Sequence, residues 1–182
     1  GLVTAGTIDL NAITGIGNTT MNGINLSGST ITADTTDGNV DLNNAIAATY
    51  TTVTTGNGTI VVDNTGAATF TTVTTGNGLI DLEAITGDLT VGTNVAAGGT
   101  TNVTLTTTTS GDVILTGTTT AAGDTVTINS IGAINGSGLV TAGTIDLNAI
   151  TGIGNGTALE LSGSAITADT TNGNVDLNNA IA

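Results

Sequence analysis

The amino-acid sequence repeats itself over a long distance. Residues 1–18 read GLVTAGTIDLNAITGIGN and recur unchanged as residues 138–155. The match continues, with two residues deleted and a few substitutions, to residue 47 in the first copy and residue 182 in the second. Residues 1–137 are therefore one full long repeat, and residues 138–182 begin the next. Repetition at a fixed distance is typical of proteins that gain length by stacking similar units.

Shorter repeats lie inside the long one. Each is a triplet of two apolar residues around a variable residue. The ten triplets are Ile8–Leu10, Ile24–Leu26, Val40–Leu42, Ile60–Val62, Ile80–Leu82, Val103–Leu105, Val126–Ile128, Ile145–Leu147, Leu159–Leu161 and Val175–Leu177. Their first members follow one another at unequal steps, and seven triplets fill one long repeat. Periods of about 20 residues are typical of solenoids, in which each coil covers the apolar face of its neighbour.

The composition excludes several classes of partner. The chain has 14 acidic residues and no Lys, Arg or His, which gives a net charge of −14. Because binding to phosphate backbones depends on Lys and Arg, we expect no nucleic-acid partner. Anionic membrane surfaces are disfavoured for the same reason. No apolar run approaches the roughly 18 residues of a membrane-spanning helix, so we expect no membrane insertion in this segment.

The residues within and between the triplets favour strands over helices. Val, Ile and Leu alternate with other residues at period two, Thr fills many of the spaces, and Gly with Asn marks the turns. We therefore predict an all-β fold, a right-handed parallel β-helix (β-solenoid) of about ten coils of 16–23 residues, continuous over residues 1–182. The outer two side chains of each triplet should point into the core and the middle one to solvent. The right hand is the general preference of crossovers between parallel strands.

A string of β-sandwich domains is the alternative fold, because large surface proteins are often built from domains of about 100 residues. A sandwich does not explain the self-similarity of the short repeats. Its core also usually contains large aromatic residues, and this chain has one Tyr, one Phe and no Trp.

Stacked coils lie about 4.8 Å apart, so the order of charges along the triplets matters. Like charges placed directly above one another destabilise a sheet. The expected separators are Asn25, Val61, Thr104 and Thr127, which alternate with Asp9, Asp41, Asp81 and Asp146. In the last three triplets Asp146, Glu160 and Asp176 follow one another without a separator, and we expect raised carboxyl pKa values there, or a bound cation.

One aromatic pair is also expected from the repeats. Residues 69–78 repeat residues 49–58 with one difference, and this difference places Phe70 at the position of Tyr50. We predict that the two rings stack across neighbouring coils.

The residue inventory argues against catalysis. Without His, Cys, Lys or Arg, the usual bases, activated nucleophiles and anion clamps are missing. Pairs of acids such as Asp81 and Glu83 remain, and two carboxyls about 5 Å apart are the machinery of retaining glycosidases. Solvated carboxylates at turns are the simpler interpretation of such pairs. We predict no catalytic residue, no cofactor and no enzyme activity.

One segment has the oxygen-rich composition that calcium prefers. Residues 34–41 read DTTDGNVD, and the candidate ligands are Asp34, Asp37 and Asp41. The spacing matches neither an EF-hand loop nor the Gly-Gly-x-Gly-x-Asp repeat. In the second copy Asn172 replaces Asp37, which keeps an oxygen and removes a charge. The alternative interpretation is a polar turn held by Asx hydrogen bonds.

Segments such as Gly6–Ala12 (GTIDLNA) and Gly78–Ala84 (GLIDLEA) resemble the shaft repeats of filamentous haemagglutinin-type adhesins. The resemblance covers essentially the whole chain and implies a right-handed parallel β-helix in a large bacterial surface protein. The secretion domain that marks the amino terminus of that family has no counterpart here, so secretion route and receptor binding do not transfer.

These observations lead to one expected function and one alternative. We expect a structural segment of an extracellular, repeat-built fibre at the cell surface, which associates with other copies or further repeats end to end or laterally. The alternative is a binding solenoid, either calcium-dependent or ice-binding. In the ice-binding case the columns Thr52/Thr72 and Thr54/Thr74 would form a short Thr-x-Thr face.

Overall fold

A computed structural model describes residues 1–17 and 23–181 of this chain. These residues form sixteen β-strands and no helix. The strands are β1 (Leu2–Ala12), β2 (Ile24–Thr35), β3 (Val40–Asn44), β4 (Ala48–Thr55), β5 (Ile60–Asn64), β6 (Ala68–Thr75), β7 (Ile80–Thr86), β8 (Leu89–Ala97), β9 (Val103–Ser110), β10 (Val113–Leu115), β11 (Thr118–Ser130), β12 (Ala133–Gly136), β13 (Leu139–Ala149), β14 (Gly152–Ile153), β15 (Leu159–Thr170) and β16 (Leu177–Asn179). The described residues accordingly include no helix able to cross a membrane.

The strands form one continuous hydrogen-bonded path that winds around a common axis. Even-numbered strands from β4 to β14 stack on one another, odd-numbered strands from β3 to β15 stack on one another, and β2 contacts both series. Every pairing between the described strands is parallel. The predicted all-β parallel β-helix is therefore confirmed, and the β-sandwich alternative, which needs antiparallel sheets, is wrong.

One column of register partners follows the chain through its turns. Its members are Leu10, Ala33, Val53, Val73, Val95, Thr119, Val140, Leu161 and Asn179. Each step from one member to the next is one turn of the solenoid. The solenoid thus has about eight turns, and the prediction of ten coils overestimates their number.

The overestimate arises because the triplets do not all lie on one face. The six triplets from Val40–Leu42 to Ile145–Leu147 do stack in a single column. In contrast, Ile8 pairs with Ile31, so Ile24 lies less than one turn after Ile8. Two successive triplets near an end of the chain can therefore lie within the same turn, so the number of triplets overestimates the number of turns.

The long repeat does not contain a whole number of turns. Leu10 lies in the column that reaches Val140 after six turns. Its copy Leu147 lies beyond Val140 on the same strand and pairs with Ile128 in a different column. The identical strands β1 and β13 therefore occupy different faces of the solenoid.

The core is a stack of inward-pointing aliphatic side chains. Ile60, Leu82 and Val103 are fully buried, as are the equivalent residues of most coils. Burial of each such side chain stabilises the fold by roughly 1.5–3 kcal/mol. The middle residues of the triplets are mostly half-buried or exposed, as predicted, and the exception is Asp41.

The coils approach one another most closely at corners occupied by glycine. Gly38, Gly58 and Gly78 lie above one another, and a Cβ at Gly58 would overlap the carbonyl oxygen of Gly38. A Cβ at Gly78 would overlap the carbonyl oxygen of Gly58 in the same way. None of the three has a positive φ. The distance between coils, and not an unusual backbone conformation, therefore requires glycine at this corner.

Candidate functional site

The three predicted calcium ligands are divided between adjacent faces of the solenoid. Asp34 lies on β2, Asp37 in the turn after it and Asp41 on β3. Asp34 accepts a hydrogen bond from the hydroxyl of Thr54, and Asp37 Oδ1 accepts one from Asn57 Nδ2 at 2.7 Å. Among residues 1–17 and 23–181, no three acidic side chains are grouped so as to hold a metal ion. The structure supports the interpretation as a polar turn, and calcium binding stays a prediction.

Asp41 is the one middle residue of a triplet that is buried. Its exposed fraction is 6%, although the chain offers no Lys, Arg or His to pair with it. Gly17 and Gly23 pack against it so closely that a Cβ at Gly23 would overlap the carboxylate. Burial raises the pKa of Asp41 above its ordinary value, because the charged form is poorly solvated there. This carboxyl therefore holds a proton more readily than an exposed one.

Four acidic residues lie close together on three consecutive odd-numbered strands. We call this set the acidic face, and its members are Asp41 on β3, Asp63 on β5, and Asp81 and Glu83 on β7. Asp41 and Asp81 flank Val61 in one column, and Asp63 stacks directly on Glu83 in the next. Burial, followed by the charges of Glu83, Asp81 and Asp41, raises the pKa of Asp63. The Asp81 side chain is exposed overall, but the protein around it partly desolvates the carboxylate, and this desolvation and then the charge of Glu83 raise the pKa of Asp81. Asp41, Asp63 and Asp81 thus retain protons at pH values where isolated carboxyls lose them.

The column of charges expected at the end of the chain does not form. Asp146 lies between Thr127 and Thr167, and Glu160 stacks on Asn178. The prediction that Asp146, Glu160 and Asp176 stack on one another is wrong. The Asp146 triplet lies on another face, and the other two triplets are offset by two residues, with Leu159 paired with Leu177. The repulsion expected among them is therefore absent.

The separators expected earlier in the chain are partly right. Val61 separates Asp41 from Asp81, and Thr104 and Thr127 follow Asp81 in the same column. Asn25, however, pairs with Leu2 and Asn43 and does not lie between Asp9 and Asp41.

The stacked threonines expected for an ice-binding face are present, but their columns are short. Thr32, Thr52 and Thr72 stack in register, and Thr54 stacks on Thr74. All five side chains are half-buried. In the next coil the equivalent positions are Asn94 and Ala96, which end the Thr-x-Thr face.

Two buried asparagines were not predicted from the sequence. Asn44 Nδ2 donates to Asn64 Oδ1 at 2.9 Å, and the same nitrogen donates to the backbone carbonyls of Ile46 and Gly28 at 2.7 and 3.2 Å. Asn44 Oδ1 accepts from the Gly28 amide at 2.9 Å, and Asn64 Oδ1 also accepts from the Tyr50 hydroxyl at 3.0 Å. These bonds satisfy backbone groups where the coil turns, and they join adjacent coils from the inside.

In the second repeat, Asn179 forms the same kind of bonds to the backbone as Asn44 does in the first. Asn179 Oδ1 accepts from the Gly163 amide at 3.1 Å, and its Nδ2 donates to the carbonyls of Gly163 and Ile181 at 3.2 and 2.6 Å. The sequence contains a signal for this role of asparagine. An Asn occupies the inward position two residues after Leu42 and Leu177, where the alternation predicts an apolar residue.

Inward threonines at the glycine corner form a second set of links. Thr55 Oγ1 donates to the Gly38 carbonyl at 2.6 Å and accepts from the Gly58 amide at 3.1 Å. Thr75 repeats this pattern one coil later, with distances of 2.7 Å to the Gly58 carbonyl and 2.9 Å from the Gly78 amide. Each hydroxyl thus bridges two coils.

On the outside of the turns, side-chain oxygens of Asn and Asp accept amide hydrogens from the next coil. The pairs are Asn39 with Thr59 at 2.9 Å, Asp88 with Asp112 at 2.9 Å, Asn102 with Thr125 at 3.2 Å, Asp112 with Ala133 at 2.7 Å, and Asn135 with Asn155 at 3.0 Å. These polar side chains therefore form hydrogen bonds between adjacent coils and hold the coils together along the solenoid axis.

Comparison of the chain with protein-family models, with curated proteins and with solved structures gives no match.

Proposed function

We propose that this chain is a structural segment of an extracellular fibre built from repeats, such as an adhesin shaft, a sheath or a filament. The observation that carries the proposal is the unbroken path of parallel strands from β1 to β16, which includes parts of two long repeats. A solenoid lengthens when coils are added, and its cross-section stays the same. The resemblance to haemagglutinin-type shafts supports a place at the cell surface.

The mechanism is mechanical. Hydrogen bonds between adjacent strands run along the solenoid axis, so several bonds in each coil share an axial load. Side-chain bonds add to them from the inside at Asn44 and Asn64 and from the outside at Asn39 and Thr59. Separating two coils requires breaking these bonds together.

The uniform negative charge governs contacts between fibres in this proposal. With a net charge of −14 and no cationic side chain, neighbouring shafts repel one another at low salt. Divalent cations neutralise this repulsion and promote lateral association of copies. The proposed partners are therefore other copies or further repeats of the same chain, without nucleic acid, cofactor or catalysis.

Electron microscopy of the native material tests the proposal. We expect unbranched filaments, and fibre diffraction with a repeat of about 4.8 Å along the filament axis. Separate globular particles without this spacing would contradict a fibre. Bundling that does not change when a chelator is added would remove the role of divalent cations.

The second candidate is a Thr-rich binding solenoid, favoured by the stacked Thr52/Thr72 and Thr54/Thr74 columns. An ice-recrystallisation assay separates the two candidates. Inhibition at micromolar protein, lost when Thr52 and Thr72 are replaced by Tyr, would support ice binding over a purely structural role.

A further inference from the structure

The last described coil exposes apolar side chains whose copies are buried in the first repeat. Residues 166–181 repeat residues 31–46 with one difference, Asn172 in place of Asp37. Val40 is fully buried, whereas its copy Val175 is 44% exposed. Since the local sequences agree, the difference in burial comes from the coil that covers the first copy.

The covering coil in the first repeat is Ala48–Asn64. Its apolar side chains pair with the face below as Tyr50 on Ile31, Val53 on Ala33, Ile60 on Val40 and Val62 on Leu42. Its polar contacts to the same face are Thr54 to Asp34, the Thr59 amide to Asn39 and Asn64 to Asn44. This coil carries a single acid, Asp63, so it adds little like charge to an acidic chain.

The second repeat offers the same set of partners. Asp169, Asn174 and Asn179 occupy the positions of Asp34, Asn39 and Asn44. The support from below is also the same, because Ile166 pairs with Ile145 as Ile31 pairs with Ile8.

Within residues 1–17 and 23–181, one edge of strand β15 is mostly unpaired. Strand β15 pairs with β13 along its length and with β16 only through Leu159–Leu161. Residues 165–170 therefore have a strand on one side only within the described part of the chain. An open parallel edge with an apolar inner row is a template for addition of another strand.

We infer that this terminal face, defined as Ile166, Ala168, Val175 and Leu177, docks a parallel β-coil with the residue pattern of Ala48–Asn64, its aromatic side chain over Ile166. The inference rests on the proposed function, because a repeat-built fibre supplies such a coil. One repeat would add to another through this apolar and polar contact.

A labelled peptide of residues 48–64, titrated with the intact chain and followed by fluorescence anisotropy, tests the inference. We expect saturable binding that weakens about tenfold or more in the chain variant Ile166→Asp, because a charge replaces a buried apolar contact. The matched control Ala165→Asp changes an adjacent, exposed side chain whose register partner Thr144 is uncharged, and it keeps binding. A peptide of scrambled order does not bind.

A second measurement tests the same contact in case the isolated peptide binds too weakly to be detected. The chain is extended after residue 182 by residues 48–69, and amide exchange is compared with that of a chain extended by the scrambled sequence. We expect protection of the amides of residues 166–170 to rise at least about tenfold with the native-order extension.

Two results overturn the inference. One is a failure of the contact itself: either neither peptide binding nor a gain in protection is seen, or the peptide binds and Ile166→Asp and Ala165→Asp weaken it equally. The other is occupation of the terminal face by a second intact copy that the peptide does not displace. Native material without filaments would contradict the fibre and leave the docking measurements standing, so the two proposals fail separately.

Discussion

The ring of Tyr50 lies almost parallel to that of Phe70 one coil away, with centroids 4.8 Å apart and an interplanar angle of 16°. Both side chains are fully buried, and the Tyr50 hydroxyl donates to Asn64 Oδ1 at 3.0 Å. The aromatic stack expected from the two nearly identical segments is confirmed. The hydroxyl joins this stack to the buried asparagines, so the largest side chains of the core contact its most polar ones.

Phe70→Ala should destabilise the chain by about 3–5 kcal/mol, because it leaves a cavity under the Tyr50 ring. Tyr50→Phe keeps the stack and removes one hydrogen bond, so its cost should be about 0.5–1.5 kcal/mol. Urea unfolding followed by circular dichroism measures both. Similar costs for the two variants would show that the ring contact is not the main contribution.

Asn44→Ala and Asn179→Ala compare one residue in two settings. Asn44 is buried and bonds to the next coil, whereas Asn179 is exposed. We expect Asn44→Ala to cost about 2–3 kcal/mol, because buried backbone groups and Asn64 lose partners. Asn179→Ala should cost about 1 kcal/mol or less, since water replaces the lost partner at an exposed position. Equal losses of unfolding free energy would mean that the ladder between Asn44 and Asn64 contributes little.

Gly58→Ala should destabilise the solenoid strongly, because the added methyl group overlaps the Gly38 carbonyl and forces two coils apart. Overpacking of this kind costs about 1–3 kcal/mol or more. Gly6→Ala is the matched control, since a Cβ there has no atom within 4 Å and Gly6 has no positive φ. Thermal midpoints of the two variants provide the measurement. A Gly58→Ala chain as stable as Gly6→Ala would contradict the close approach of coils at this corner.

The acidic face should make the chain more stable in mild acid than at neutral pH. The pKa values of Asp41, Asp63 and Asp81 are raised by folding, so the folded state binds more protons than the unfolded chain. This contribution is complete below about pH 4, the ordinary pKa of an unfolded Asp, and is lost as the pH rises through the folded values. Thermal midpoints measured from pH 3.5 to 7.5 should therefore fall with increasing pH.

Asp63→Asn isolates the acidic face from the overall net charge. At pH 7 it should raise the midpoint by about 2–4 °C, which corresponds to about 1 kcal/mol after solvent screening of the half-buried group. Near pH 3.5 the gain should vanish, because the native carboxyl is then neutral. Asp176→Asn changes the net charge equally at an exposed position, and an equal gain from it would assign the effect to general repulsion.

Strand type and the inward rows could be predicted because they follow from alternation, and parallel pairing could be predicted because the short segments repeat at about 20 residues. Val61 and Thr104 were placed correctly between charges, since their triplets are spaced by nearly constant steps. The phase between distant triplets could not be predicted. A short spacing such as that from Ile8 to Ile24 describes a step within one turn as easily as a full turn, and only the register of Ile8 with Ile31 decides between them.

The buried polar groups were harder to predict for a different reason. Thr55 and Asn44 are polar residues at inward positions, where alternation suggests a corner or a break. Their roles depend on a carbonyl or an amide in the adjacent coil, and nothing in the local sequence identifies that neighbour. The calcium hypothesis shows the same limit, because Asp34 and Asp41 are close in sequence and lie on different strands.

Leu10 and its copy Leu147 occupy different columns, and this offset has a consequence for any longer array of such repeats. A group carried once per repeat, whether a glycan, an epitope or a binding loop, would not line up in a single row. Successive copies would be distributed around the circumference, so an approaching cell or antibody would meet the same marking from more than one direction.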